Sequence, residues 1–276
     1  MTSARQRTLK TSAAMKGRGL HTGEECEIRL VPAPPNTGVV FVTPRGEVPA
    51  LVRNVLDTQR ATSLRSGDAE VHTVEHLLAA LAGLCVDNVR VEVSGPEIPA
   101  ADGSALPFVE LIESAGIGEQ MAEASAVRPQ EPVWTAEAGK YLLAMPGSRF
   151  RVSALISFQH PMIGEQAISL EIDPAAFKRE IAPARTFCTA DEIELIASQG
   201  LGKGGTEDNV VVVNDDSYSV PLRFRDEFVR HKVLDLIGDI SLVGGRLNAE
   251  VLAVRTSHAL NVALAEKIVR KGWQGG

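Results

Sequence analysis

Residues 226–240, DEFVRHKVLDLIGDI, carry His231, Asp235 and Asp239 at four-residue intervals, with Lys232 beside the first. On a helix Asp235 then falls about 40° and Asp239 about 80° from His231, while Val229, Val233, Leu236 and Ile240 gather roughly opposite. An imidazole nitrogen and a carboxylate oxygen one turn apart can meet at a single ion, and a His, His, carboxylate set suits zinc. The same residues also fit a charged face turned to water, on which His231 and Asp235 form only a surface pair.

A second histidine supplies the missing donor. His76 stands in TVEHLLAALAGL (73–84), a segment apolar nearly all round, so it is expected to be buried. A core histidine satisfied by hydrogen bonds is one reading. The adjacent Glu75 favours another, because a carboxylate buried beside an imidazole needs a cation, a metal or a catalytic water to offset its lost hydration. Three protein ligands with one open position make a catalytic zinc arrangement, and Glu75 would stand ready to take a proton from a water in that position.

The elements that must position these groups follow from hydrophobic patterning. The first half reads as strands (ECEIRLVP, GVVFVTP, PALVRNV, RATSL), the helix containing His76, the strand NVRVEVSG, then a loop leading to a helix, FVELIESAGI. The stretch 118–133, GEQMAEASAVRPQEPV, is poor in bulky apolar residues and carries two prolines, so the boundary between two units is expected there. Strands KYLLAMP, RFRVSALISF and AISLEI open the second half, followed by a helical TADEIELIASQG, a glycine-rich turn and the strand VVVVND. The helix of His231, the strand LNAEVLAVR and the helix HALNVALAEKIVRK end it. Each half thus has a helix with Val-x-His near its start, then a strand, then a second helix, which reads as a divergent internal repeat placing His76 and His231 at equivalent points.

Bulk properties narrow the function. The 276 residues are 44% hydrophobic and 23% charged, ordinary for a globular protein and sufficient for one or two cores. A net charge of −7 with scattered basic residues argues against a nucleic-acid partner. Three widely spaced cysteines, Cys26, Cys85 and Cys188, form no metal or disulfide pattern and fit a cytoplasmic setting. The longest apolar run, HLLAALAGLCV, is too short for a membrane span of about 18 residues.

Taken in order, GRGLHTG (17–23), TVEHLLAALAGL (73–84), DGSALPFV (102–109), ARTF (184–187), DEFVRHKVLDLIGD (226–239) and SHALN (257–261) resemble the UDP-3-O-acyl-N-acetylglucosamine deacetylases of bacterial lipid A synthesis. The resemblance implies an α+β protein of two similar domains, each a sheet-and-two-helix sandwich with the active site between them, here taken as 1–120 and 130–276. It implies zinc, with Fe2+ as the other conceivable metal, held by His76, His231 and Asp235. Glu75 would be the general base, His258 the cationic general acid oriented by Asp239, and Thr186 a donor to the oxyanion. Lys232 and Arg255 would contact the polar part of the substrate. Phe187, Leu20, Ile193, Val210 and Val212 would meet its acyl chain, the last three in a hydrophobic-passage insert near 187–213.

The sequence departs from the family pattern at Cys188 and Ser257, where glycine is usual, at Ala190, which is small, and at Glu207, where an apolar or aromatic residue is common. The implied partner is an acylated UDP-amino-sugar substrate, and the chain is expected to act as a monomer. Two other readings use the same donors: a deacetylase of a related acylated amino sugar, and a non-catalytic binder of acylated nucleotide sugars. The binder has no use for the base Glu75 or the acid His258.

Overall fold

The structure, a computed structural model, describes residues 4–272. The first half contains β1 (Arg5–Leu9), β2 (Ala13–Arg18), β3 (Glu25–Pro32), β4 (Val39–Thr43), β5 (Gly46–Pro49), β6 (Val55–Asp57), β7 (Ser63–Ser66), β8 (Ala69–Val71), α1 (Glu75–Gly83), β9 (Val89–Val93) and α2 (Leu106–Ala115). After β10 (Ile117–Glu123) and β11 (Ala126–Val127) come β12 (Val133–Glu137), β13 (Lys140–Pro146), β14 (Arg151–Ser157), β15 (Glu165–Glu171), the short turn α3 (Pro174–Ala176), β16 (Phe187–Thr189), α4 (Glu192–Ser198) and β17 (Val211–Val213). The chain closes with α5 (Glu227–Ile240), β18 (Arg246–Leu247), β19 (Ala249–Val254) and α6 (His258–Gly272).

Two five-stranded sheets share one plan. The first runs β2-β3-β9-β4-β5 and the second β12-β13-β19-β14-β15. In each the central strand pairs antiparallel with one neighbour and parallel with the other. This is the internal repeat that the two Val-x-His helices announce. The fold is therefore α+β, with the central strand of each sheet flanked along the chain by one helix before it and one after it, α1 and α2 around β9 and α5 and α6 around β19.

The strands alternate because one sheet face is covered and the other meets water. Leu142 and Ala144 on β13, Val251 and Ala253 on β19, and Val152, Ala154 and Ile156 on β14 are buried, whereas Tyr141 and Leu252 point outward and are exposed. Helices α5 and α6 cover the second sheet, α2 packs on β2, and α1 meets α5 at the centre of the molecule. Centrality explains why α1 is apolar nearly all round: all but one of its residues are buried.

The α1–α5 crossing is tight. A Cβ on Gly238 of α5 would lie 2.1 Å from the Glu75 carbonyl oxygen, and one on Gly83 would lie 2.3 Å from the Phe177 ring. Glycine at both positions lets α1 approach closer than any side chain would allow.

Several local expectations are revised. The 49–55 stretch, expected as a strand, is a 3-10 turn (Val52–Asn54) between two short strands. The polar stretch 118–133 contributes β10, which pairs antiparallel with β1 and ties the first strand of the half to its last. Strands β1, β2 and β12 have no counterpart in the sequence reading. The face of α5 bearing His231, Asp235 and Asp239 is not solvated: these residues are 2%, 3% and 0% exposed. A surface pair is thereby excluded for His231 and Asp235. None of the described helices is long and apolar enough to cross a membrane.

Candidate metal and catalytic site

The first turn of α1 and the middle of α5 bring His76, His231 and Asp235 together, their donor atoms all within 4.8 Å of one another. His76 Nε2 lies 3.5 Å and His231 Nε2 3.3 Å from the same oxygen, Asp235 Oδ1. The two imidazole rings stand edge to face at 5.0 Å. His231 Nδ1 lies 3.1 Å from the Ala184 carbonyl, which can only accept, so the hydrogen sits on Nδ1 and Nε2 keeps its lone pair. Burial lowers the His231 pKa to about 3 against the pull of Asp235, so the ring is neutral in the ordinary pH range.

Asp235 divides its two oxygens. Oδ2 accepts from Lys232 Nζ at 3.0 Å, while Oδ1 is buried and has no hydrogen-bond partner. Burial opposes ionisation of this carboxyl, but the positive charge around it, Lys232 included, holds it well below the usual carboxylate range. A buried carboxylate oxygen left unpaired costs a few kcal/mol unless something positive meets it. Two imidazole Nε2 atoms facing that oxygen complete the donor set of a divalent cation, and the residues present fit such an ion.

Glu75, the first residue of α1, is 3% exposed and accepts from the Thr62 backbone N–H at 3.0 Å. Burial raises its pKa, and His258 and His76 restrain the rise, which is the environment of a base poised nearer neutrality. His258 opens α6. Its Nδ1 lies 2.8 Å from Asp239 Oδ2, which also accepts from Asn261 Nδ2 at 2.8 Å, while Asp239 Oδ1 accepts from Thr62 Oγ1 at 2.5 Å. Burial works against the His258 charge, but Asp239 and Asp235 outweigh it and raise the pKa to about 9, so the imidazolium persists at neutral pH. Thr62 touches both carboxylates, its N–H on Glu75 and its hydroxyl on Asp239, and so fixes Glu75 relative to the His258–Asp239 pair.

Thr186 is fixed by backbone. Its N–H donates to the Gly103 carbonyl at 2.8 Å, and Gly103, at φ +80°, leaves no room for a Cβ, which would lie 1.9 Å from the Asn209 carbonyl oxygen. The motif DGSALPFV thus acts by shape. Arg185, next to Thr186, forms a buried ion pair with Glu227 at 2.8 Å, joining this segment to the start of α5.

These groups line a cavity of about 190 Å³ together with Leu20, His21, Arg60, Thr73, Phe158, Phe187, Glu192 and Lys232. Asp239 stands behind His258 rather than in the wall. Ile193 lies exposed on α4, Val212 on β17, and Val210 just before that strand; none of the three lines this cavity. Val210 does approach Leu20: both come within about 4 Å of where a Cβ on Gly205 would lie. The exposed Arg255 does not line the cavity either, and its guanidinium sits near Gly139 at the β12–β13 turn.

Sequence reasoning passed over His21, Arg60, Thr73, Phe158 and Glu192 in the wall, and Thr62, Glu97 and Asn261 behind it. His21 was within reach, since it belongs to GRGLHTG. Its backbone N–H and that of Thr22, with the Thr22 and Thr73 hydroxyls, converge on the buried Glu97 carboxylate, which holds the loop over the site.

Residues 6–270 match the family of UDP-3-O-acyl N-acetylglycosamine deacetylases. A UDP-3-O-acyl-N-acetylglucosamine deacetylase of Myxococcus xanthus is 44% identical over 97% of this chain and 87% of its own. One from an Anaeromyxobacter species is 44% identical over 98% and 90%, and one from Coxiella burnetii 40% identical over 98% and 92%.

Proposed function

The chain belongs to the UDP-3-O-acyl N-acetylglycosamine deacetylase family, and from that premise we propose how its residues hydrolyse the acetamide of UDP-3-O-(3-hydroxyacyl)-N-acetylglucosamine, releasing acetate and a free amine for lipid A biosynthesis. The observation that carries the reading is the unpaired Asp235 Oδ1 faced by two imidazole Nε2 atoms at 3.5 and 3.3 Å.

His76, His231 and Asp235 would hold a divalent ion, zinc by the chemistry of the donor set, with Fe2+ able to use the same ligands. A metal held there would supply Lewis acidity toward the amide carbonyl and a nearby water. Glu75 takes a proton from that water, its own position fixed by the Thr62 N–H. The Thr186 hydroxyl donates to the carbonyl oxygen as it gains negative charge. His258, kept cationic by Asp239, protonates the departing amine, which would otherwise be a poor leaving group. Lys232, paired to Asp235 in the cavity wall, meets a polar group of the substrate, and Leu20 and Phe187 give the acyl chain an apolar surface.

We read the halves 1–120 and 130–276 as two domains, the ends 1–3 and 273–276 of those ranges lying outside the described residues. We take a monomer as the working unit, because the donor set, Glu75 and His258 together form a complete site within a single chain. Three free thiols and a nucleotide-sugar substrate support a cytoplasmic setting. The test is acetate release from UDP-3-O-(3-hydroxyacyl)-N-acetylglucosamine by the purified protein, before and after chelation and after zinc or Fe2+ is restored. Release lost on chelation and regained with metal is expected. No release from folded, metal-loaded protein would overturn the reading.

A further inference from the structure

We propose that Arg60 and Glu192 determine which acyl chains the site accepts, by forming a charged strap of side chains in the cavity wall. This rests on the deacetylase reading above. Arg60 lies in the loop between β6 and β7, and Glu192 is the first residue of α4; both line the cavity. Both terminal nitrogens of Arg60 donate to Glu192 Oε1 at 3.3 Å. The other Glu192 oxygen accepts from the backbone N–H and the hydroxyl of Thr189 at 3.2 and 3.1 Å, so the acceptor end of the strap is anchored. Arg60 adopts φ +62°, a conformation uncommon for a residue with a side chain, and this turn of the loop aims it toward α4.

Another part of the wall is built differently. There the loop of Leu20 meets the turn after α4 through main-chain hydrogen bonds, Gly204 N–H to the Leu20 carbonyl at 3.0 Å and Lys203 N–H to the His21 carbonyl at 3.3 Å. The approach is so close that a Cβ on Gly204 would lie 2.1 Å from the Gly19 oxygen. Opening that wall means breaking backbone pairs. Helix α4, by contrast, has no buried residue, and the strap ties it to the first half of the chain.

A cavity of about 190 Å³ is smaller than the ~300 Å³ at the low end of small-molecule sites. A long acyl chain therefore has to leave it, and the yielding side is the one the strap spans. Methylenes that pass there cover a half-exposed ion pair and strip its water without returning a hydrogen bond. The pair accordingly sets an upper length: chains that stop short of it bind, and longer ones lose affinity.

The experiment measures kcat and KM on the metal-loaded enzyme for two substrates whose saturated 3-hydroxyacyl chains differ by about four methylenes. Three variants are compared: Arg60→Asn, which tolerates the positive φ, Glu192→Gln, which keeps the Thr189 acceptor, and Arg60→Lys. For Arg60→Asn and Glu192→Gln the ratio of kcat/KM, long over short, is expected to rise roughly tenfold, through KM for the long chain, while Arg60→Lys stays near the native ratio. An unchanged ratio, or an equal loss on both chains, overturns the strap and leaves deacetylation standing. Failure of the native enzyme to release acetate from either chain overturns both.

Discussion

At the residue scale the proposed mechanism makes the pairing of His258 with Asp239 decide when the site works. His258 must carry its proton to serve the leaving amine, so activity is present below its pKa, raised to about 9 in this arrangement, and is lost as pH rises through it. Removing the Asp239 charge withdraws the main support of the imidazolium and moves the alkaline limb of the kcat/KM profile to lower pH. Asp239→Asn, which keeps an acceptor for Nδ1, is expected to shift that limb down by roughly one unit or more, the size of effect an adjacent carboxylate produces. A limb that stays in place would show that His258 is not the titrating acid. The pairing of His258 with Asp239 was expected only from the resemblance of the ordered motifs, whereas His231 and Asp235 were legible because a histidine and a carboxylate at helical spacing leave a signature in sequence. Thr62, which hydrogen-bonds to both Glu75 and Asp239, left none: it is one small hydroxyl in a stretch, RATSL, whose pattern speaks only of a strand. Arg60 and Glu192 were hidden for the same reason, as charged residues in loop and helix-start positions are ordinary until the chain brings them face to face.

At the element scale the α1–α5 crossing carries the geometry, and Gly238 is its closest point. A methyl there meets the Glu75 backbone oxygen at 2.1 Å, and main chain cannot step aside as a flexible side chain can. Gly238→Ala gains up to about 1 kcal/mol in helix propensity, but the forced separation costs about 1–3 kcal/mol, and it moves the residue that carries the base. The expected outcome is a lower urea midpoint together with acetate release reduced by roughly tenfold or more, since small misplacements of a catalytic group are costly. A variant as stable and active as the native protein would mean the crossing is not under constraint. Helices α1, α5 and α6 could be read from their apolar spacing, and most strands of the two large sheets from their alternation. What escaped was structure whose stabilisation is non-local. Strand β10, IGEQMAE, has no bulky apolar face and exists because β1 supplies its hydrogen bonds across the first half of the chain. The stretch 49–55, PALVRNV, carries two valines and a leucine that suggest a strand, yet the chain turns at 52–54 as it enters the β6-β7-β8 sheet.

At the scale of the whole molecule the proposed ligand set spans the repeat: His76 comes from the first half, His231 and Asp235 from the second. The shared strand order of the two sheets was visible in sequence only as a tripeptide and an element order, because the repeated object is a backbone path that many side-chain sets satisfy. A cation held between the halves is bound by the folded chain and not by the separated ligands of the unfolded one, so it stabilises the fold by mass action. At a free concentration about a hundredfold above its Kd the gain is about 2.7 kcal/mol. For a chain of this size each kcal/mol moves the melting temperature by about 2–4 °C, so restoring zinc to chelated protein is expected to raise Tm by about 5–10 °C. His76→Ala, which leaves the α5 ligands in place but removes the link to the first half, should abolish most of that rise, as followed by thermal unfolding with and without added zinc. The orphaned Asp235 Oδ1 makes the result informative in either direction. If Tm ignores zinc while the protein remains folded, that oxygen is not waiting for a cation and the three donors form a polar cluster rather than a metal site.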